Sequence, residues 1–370
     1  MNKEWEGIAG QNNVKELLTG FIESGKIPHA LLFNGIEGVG KDFTAIKFAA
    51  ALNKKNTANY EFVSNQIANL REPYIKYIFP LPRGRNETEL NDPFEKLSAD
   101  EIELVKEEIS KKAKNPYYKI DIPNANTIKV NSIRDIKKFL SLDFSDIGYR
   151  IVLISNAHYM NEPSQNALLK NLEEPPEGVI FILTTSLSSE LRETIRSRCW
   201  QINFNPLDYK DIIKVLVNNF EISKSLADEV AVFSGGSVSK ALALSHNDFK
   251  ELKERTIHIL RYSFGSKFNS ALSELDVFIS QNDFESVKII IEMIITWLND
   301  LERYKYLKSE YFYLDFIETL EKFYKRYPDI DVTPLVTKLD RLASSIDNNV
   351  SLKSICLSMV FLLSSIIKNY

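Results

Sequence analysis

A glycine-rich loop that joins an apolar run to a helical run constrains this chain of 370 residues more than any other feature. Residues 30–33 are apolar, residues 35–42 read GIEGVGKD, and residues 43–52 have a helical pattern. Glycines let backbone N–H groups converge on phosphate oxygens, the helix N-terminus adds partial positive charge, and a lysine reaches the outer phosphates. The sequence therefore predicts a phosphate-binding loop in an α/β core. Its candidate nucleotide-binding residues are Gly35, Gly38, Gly40, Lys41 and Asp42.

Three residues, Asp42, Ser155 and Asn156, depart from what ATP hydrolysis requires. Asp42 stands where a serine or threonine hydroxyl would bind magnesium, and a carboxylate near a phosphate is repelled by up to about 4 kcal/mol per charge pair. Residues 151–154 form an apolar strand that ends in Ser155-Asn156 instead of Asp-Glu, so magnesium loses an acidic partner and the attacking water loses its base. Asp42 could still ligate magnesium itself. We therefore expect no intrinsic ATPase activity, no required cofactor, and a vestigial ATP site with weak binding at most.

The order of apolar and helical runs predicts a parallel sheet. Strands are expected at residues 30–33, 151–155 and 179–184, and they alternate with helices. One of these helices begins at Asn161-Glu162-Pro163 and ends before Pro175-Pro176. After Pro206 the pattern becomes helical throughout, with a turn at Gly235-Gly236, so we place domain boundaries near residues 205 and 250.

Residues 53–127 do not fit this alternation, because they are rich in proline, mixed in charge and weakly periodic. We interpret them as an insertion in the first domain. Within them, Arg83-Gly84-Arg85 either contacts DNA or a partner, or is a solvated loop.

Composition and charge exclude several classes of protein. A net charge of −4 argues against binding nucleic acid over the whole surface, although a local basic patch remains possible. Two cysteines, Cys199 and Cys356, are too few for a disulfide framework or a cysteine-rich zinc site. No metal site is predicted, because the histidines lack ligand spacing. The N-terminus has no signal-like segment, and no apolar stretch reaches the roughly 20 residues that a bilayer requires, so we expect a cytoplasmic protein without membrane contact. The histidines are His29, His158, His246 and His258.

Six motifs together resemble the AAA+ clamp-loader subunits of bacterial DNA polymerase III. They are Ile8-Ala9-Gly10-Gln11, Ile27-Pro28-His29-Ala30-Leu31-Leu32-Phe33, Ile128-Lys129-Val130 with Ile133-Arg134, the run NALLKNLEEPP at residues 166–176, Ser197-Arg198-Cys199, and Ile346-Asp347-Asn348-Asn349-Val350 with Leu352 and Leu357. The resemblance covers essentially the whole chain except residues 53–127. It implies an AAA+ core with a parallel sheet at residues 1–205, a small helical lid at 206–250 and an all-α collar for oligomerisation at 251–370.

Within that family the sequence resembles the delta-prime type, which can lose the catalytic groups and keep Ser-Arg-Cys. The resemblance implies that Arg198 projects across a subunit boundary as an arginine finger toward a neighbour's ATP. The alternative for Arg198 is an internal salt bridge, and Cys199 is expected to serve packing. Ser239 replaces the phosphate-sensing arginine of active lids, with Lys240 beside it. Thr184 and Thr185 either take the first sensor position or cap the strand. The family's four-cysteine zinc module is absent, because residues 53–127 contain no cysteine.

The implied function is that of a non-hydrolysing stator in a five-membered ring. Its partners would be the motor (gamma/tau) and delta subunits, the sliding clamp and primer-template DNA. The helical patterns at residues 288–298 and 352–367 are suited to packing in such a ring, but a monomeric bundle would show the same periodicity. Two alternatives remain open: a gamma/tau-type ATP-hydrolysing motor subunit, and a phosphate-loop ATPase in another branch of DNA metabolism.

Overall fold

A computed structural model describes residues 3–54, 59–141, 147–246, 248–306, 311–348 and 350–368. The chain divides into two compact units, the first holding Met1–Ala227 and Gly235–Lys240 and the second holding Asp228–Ser234 and Ala241–Tyr370. The three-part division at residues 205 and 250 stays a prediction.

The first unit is built on a five-stranded parallel sheet. Its strands are β1 Ala30–Asn34, β2 Ile75–Ile78, β3 Arg150–Ile154, β4 Val179–Thr185 and β5 Trp200–Asn203. They are arranged in the order β2-β3-β4-β1-β5, and every neighbouring pair is parallel. The prediction of a parallel α/β core is confirmed, and the three predicted strands are β1, β3 and β4.

The pattern of the sequence did not predict β2 and β5. β2 lies inside the segment that we interpreted as an insertion, so part of residues 53–127 belongs to the sheet. β2 is short and contains Lys76, which is buried and pairs with Glu72 and Asp135. This charged residue interrupts the apolar sequence by which a buried strand is recognised. β5 is an edge strand in which only Ile202 is buried, so it lacks the apolar run of a central strand.

Helices cover both faces of this sheet. In β1, β3 and β4, nearly all residues are buried, whichever face of the sheet their side chains point to. This is the arrangement of a parallel sheet with two covered faces. The helices of this unit are α1 Asn12–Ser24, α2 Lys41–Leu52, α3 Tyr60–Ala68, α4 Ala99–Lys114, α5 Val130–Arg134, α6 Ile136–Ser141, α7 Glu162–Glu173, α8 Glu193–Arg196 and α9 Tyr209–Phe220. α10 Lys224–Phe233 and α11 Val238–His246 each have residues in both units.

The predicted start of α7 is confirmed. The side chain of Asn161 accepts a hydrogen bond from the Ser164 N–H, and Pro163 lies in the first turn, where it costs no helical hydrogen bond.

Among the described residues of the second unit, helices joined by turns and loops are the only regular secondary structure. It contains α12 Phe249–Phe264, α13 Phe268–Ser273, α14 Asp276–Gln281, α15 Phe284–Lys305, α16 Ile317–Arg326, α17 Thr333–Ser344 and α18 Leu352–Lys368. α15 packs against α12 and α17, and its buried Trp297 contacts Phe264 and Phe323. The predicted helices at residues 288–298 and 352–367 fall within α15 and α18. Asn349 of the last motif lies outside the described residues.

None of the helices in the described ranges combines the length and apolarity that crossing a bilayer would demand.

Candidate active site at the phosphate loop

The predicted phosphate loop runs from the end of β1 to the start of α2. Gly38 and Gly40 have φ values of 77° and 88°, a backbone region that glycine adopts without strain. The Lys41 ammonium donates hydrogen bonds to the carbonyls of Gly35 and Ile36, at 2.6 and 2.7 Å. Burial lowers the pKa of Lys41 to about 8. The lysine predicted to reach outer phosphates is thus satisfied by carbonyls of its own loop.

The Asp42 side chain is only 14% exposed, and its carboxylate contacts β2, β4 and the residue that follows β3. Oδ1 accepts a hydrogen bond from the Thr184 hydroxyl at 2.8 Å, and Oδ2 accepts one from the Ser155 hydroxyl at 2.7 Å. The hydroxyl of Tyr77 on β2 lies 3.3 Å from Oδ2. The first residues of α2 are therefore tied to β2, to the residue after β3 and to β4 by one side chain.

A lysine from the segment predicted as an insertion supplies the counter-charge. Lys112 on α4 places its ammonium 3.3 Å from Asp42 Oδ2 and donates to the Tyr118 carbonyl at 2.8 Å. Burial opposes ionisation of Asp42, but the Lys112 ammonium and the hydroxyls of Ser155 and Thr184 outweigh it and lower the pKa of this carboxyl. Sequence reasoning missed Lys112, because no motif marks it.

Asp42 and Ser155 have exchanged the groups that an ATPase places at these two positions. The hydrolytic arrangement has a hydroxyl on the helix after the loop and a carboxylate at the strand end. Here the carboxylate is on the helix and the hydroxyl follows the strand, and the two are hydrogen-bonded. The departures that the sequence presents separately are therefore one paired change, with Asn156 as a second, independent departure.

These residues do not fit a magnesium ion. Mg²⁺ binds carboxylate and water oxygens in an octahedron, whereas both Asp42 oxygens already accept hydroxyl hydrogens and one faces an ammonium. Across the ranges that the structure describes, no three His, Cys, Asp or Glu side chains are grouped to hold a metal ion.

A short stretch of chain after α4 lines the cavity at the phosphate loop. We call residues 116–122 the covering segment. The hydroxyl of Tyr117 accepts a hydrogen bond from the Ala9 N–H at 2.7 Å, and its ring packs edge-on against Phe43. Lys119 pairs with Glu37 of the loop at 2.9 Å. The remaining cavity measures about 250 Å³.

The first turn of α11 packs on the loop from another direction. The Ser237 hydroxyl donates to the Glu37 carbonyl at 2.8 Å, and the Val238 N–H donates to the Gly38 carbonyl at 3.3 Å. A Cβ on Gly38 would lie only 2.5 Å from the Ser239 nitrogen. Ser239, predicted in place of a phosphate-sensing arginine, therefore lies directly against the loop.

The sensor candidates lie at the end of β4 beside a histidine. Thr184 bonds Asp42 and also accepts a hydrogen bond from the Asn156 N–H at 3.1 Å. Thr185 lies 3.1 Å from Nδ1 of His158. Burial lowers the pKa of His158 to about 4. Thr184 is thus committed to the Asp42 network, which neither of our two interpretations of it anticipated.

The lowered pKa of His158 predicts that the stability of the chain depends on pH. Because its pKa falls from 6.5 to about 4 on folding, the unfolded chain binds the extra proton between these values, so stability falls as the pH drops through that window. Between pH 7 and pH 5 we expect the free energy of unfolding of His158→Asn to fall less than that of the wild type, by about 1 kcal/mol after allowance for solvent screening. Thermal unfolding at the two pH values measures this difference. His246→Asn, an exposed control, should behave as wild type. Equal pH dependence in all three proteins would contradict this.

Arg198 lies at the surface just before β5. Its guanidinium donates to the Thr194 carbonyl at 2.9 Å and pairs with Glu173 at 3.0 Å, and 36% of the side chain is exposed. The internal ion pair that we considered as the alternative is thus formed, but at a solvent-accessible position. Cys199, next to it, is buried, and burial raises the pKa of its thiol to about 12, which suits packing.

The Arg83-Gly84-Arg85 loop is ordered around a buried carboxylate. Glu87 accepts hydrogen bonds from the Gly84 N–H and from Lys129, at 2.8 and 3.0 Å, and the side chains of Arg83 and Arg85 are exposed. Its contact with DNA or a partner stays a prediction.

Residues 10–208 match the family described as DNA polymerase III, delta subunit. The chain is 26% identical to the tau subunit of Bacillus subtilis over 247 residues, 65% of this chain and 37% of tau. It is 29% identical to the gamma subunit of Buchnera aphidicola subsp. Schizaphis graminum over 247 residues, 65% of this chain and 57% of gamma. The delta' subunit of Escherichia coli is 30% identical over 141 residues, 38% of this chain and 42% of delta'. The chain thus spans less than two thirds of each of these relatives.

The family match covers more than half of the chain and includes the phosphate loop, the strands beside it and Ser197-Arg198-Cys199. The resemblance drawn from the six motifs and the α/β fold agree with it. This chain belongs to the DNA polymerase III delta subunit family of AAA+ clamp-loader proteins.

Proposed function

We propose that this protein is a non-hydrolysing, delta-prime-type subunit of the DNA polymerase III clamp loader. The observation that carries the proposal is the state of Asp42, whose carboxylate is bonded to Ser155 and Thr184 and paired with Lys112. A site whose carboxylate is already neutralised has little to offer a magnesium ion, and Asn156 offers no base for the attacking water.

Arg198 is proposed as the group that acts on a neighbour's ATP. Its ion pair with Glu173 is partly exposed, and such pairs contribute about 0–1 kcal/mol, so the guanidinium can exchange Glu173 for a phosphate at small cost. A guanidinium fork also matches phosphate oxygens better than an ammonium does. The protein would thus complete another subunit's active site, while its own site would not hydrolyse ATP.

The proposed partners follow from the family. They are the motor (gamma/tau) and delta subunits in a five-membered ring, the sliding clamp, and primer-template DNA in the interior. A cytoplasmic location is part of the same proposal.

A motor role is the second candidate, because the relatives named tau and gamma match a larger share of this chain than delta' does. ATP turnover by the purified chain separates the two. We expect no turnover above that of the Lys41→Ala variant, which controls for contaminating ATPases. Steady turnover that Lys41→Ala abolishes would contradict the stator proposal and support the motor.

A further inference from the structure

We propose that the Lys112 ammonium is a built-in replacement for the metal ion of the phosphate-loop site. The inference rests on the proposed non-hydrolysing role and gives it a physical basis: the chain fills its own cation position, so neither Mg²⁺ nor nucleotide is needed to complete the fold at α2. The starting point is the misfit between magnesium and the residues around Asp42.

The charges of the site balance without a metal. The Asp42 side chain is only 14% exposed, and a carboxylate so largely removed from water is unfavourable unless a cation and hydrogen bonds compensate it. Lys112 supplies one positive charge at 3.3 Å, and the hydroxyls of Ser155 and Thr184 satisfy the remaining acceptor sites. Lys41 is held by loop carbonyls. No net negative charge is left at Asp42 to attract a divalent cation.

Lys112 is held in place by its own surroundings. Its side chain is only 7% exposed, and the ammonium donates to the Tyr118 carbonyl at 2.8 Å as well as facing Asp42. One helical turn earlier, Glu108 accepts hydrogen bonds from the Tyr118 hydroxyl and the Asp121 N–H at 3.0 and 2.9 Å. Residues four apart on a helix share one face, so α4 fixes the covering segment and the cation together.

The covering segment belongs to the same arrangement. A Cβ at Gly40 would lie 3.2 Å from the ring of Tyr117, so the segment packs directly on the residue that precedes α2. The Tyr117 hydroxyl also accepts a hydrogen bond from the Ala9 N–H, and Lys119 forms an ion pair with Glu37 at the cavity. The segment therefore packs on the loop and lines the cavity of about 250 Å³ beside it.

The test is thermal unfolding of the full chain with EDTA or with millimolar MgCl₂ and no nucleotide. Wild type should melt at the same temperature in both, and so should Lys106→Met, a control for an exposed lysine on the same helix. Lys112→Met should melt lower in EDTA and regain at least about 2 °C with Mg²⁺, because Asp42 then lacks a cation. The double variant Asp42→Asn/Lys112→Met should lose the response to Mg²⁺ and melt above Lys112→Met.

Where Lys112→Met folds, three outcomes overturn the inference: a Mg²⁺ response of wild type as large as that of Lys112→Met, no response in Lys112→Met, or failure of the double variant to melt above Lys112→Met. If Lys112→Met does not fold while the double variant does, charge compensation by Lys112 is supported. If neither folds, the inference fails. These results are separate from ATP turnover by the wild type, which alone decides between the stator and the motor.

Discussion

On the proposed stator role, replacing Arg198 with alanine should reduce ATP turnover at the neighbouring subunit's site by a factor of about 10³ or more, because a finger supplied in trans stabilises charge on the transferring phosphoryl group. The reconstituted clamp loader is the system to measure, with DNA and clamp present. The partners' own Ser-Arg-Cys arginines should also be replaced, so that the remaining turnover reports on the site that meets this chain. Arg198→Lys should recover only part of the rate, since lysine lacks the planar donor fork.

The control for this experiment is Arg192→Ala. Arg192 is also an exposed arginine, paired with Glu162, and it lies outside the Ser-Arg-Cys motif. Both variants should fold and assemble, because each removes one solvent-accessible ion pair and one hydrogen bond at the surface. Unchanged turnover in Arg198→Ala would remove Arg198 from the mechanism, and an equal loss in Arg192→Ala would show that the effect is not specific.

Replacing Asp42 with alanine should lower the free energy of unfolding by about 3–5 kcal/mol, the usual cost of breaking a buried ion pair from one side. The variant leaves the Lys112 ammonium buried without its carboxylate and deprives Ser155 and Thr184 of their acceptor. Denaturant unfolding of the full chain measures the loss. Asp100→Ala, at an exposed position, should stay within about 1 kcal/mol of wild type.

The Asp42 effect should also depend on pH in a defined direction. Its pKa is lowered from 3.8 by folding, so the carboxylate contributes its full stability above that value and loses it as the pH falls through the lower folded pKa. The gap between wild type and Asp42→Ala should therefore be constant near neutral pH and shrink only in strong acid. A loss below about 1 kcal/mol at pH 7 would show that the Asp42 network contributes little.

The candidate site could be located from the sequence, but its hydrogen bonds and its ion pair could not be predicted. Asp42 and Ser155 are recognisable because each occupies a position with a known chemical requirement. The sequence presents them as separate losses, whereas the structure shows them hydrogen-bonded to each other. Lys112 was missed, because no motif marks it among the lysines and glutamates of α4. The one available signal was its spacing, since Val105, Ile109 and Lys112 lie on one face of the helix.

The sequence by itself determined the parts whose signal is local: the glycine loop after an apolar strand, the alternation that predicts a parallel sheet, the capped start of α7 and the motifs of the family. Such features depend on neighbouring residues, so a linear pattern carries them. Only the tertiary structure decided how the phosphate-loop site is completed, because Asp42, Lys112, Ser155 and Thr184 come from four distant stretches of the chain. Charge and hydrogen-bond compensation between them depends on distances of a few ångströms, which packing of the sheet and its helices creates.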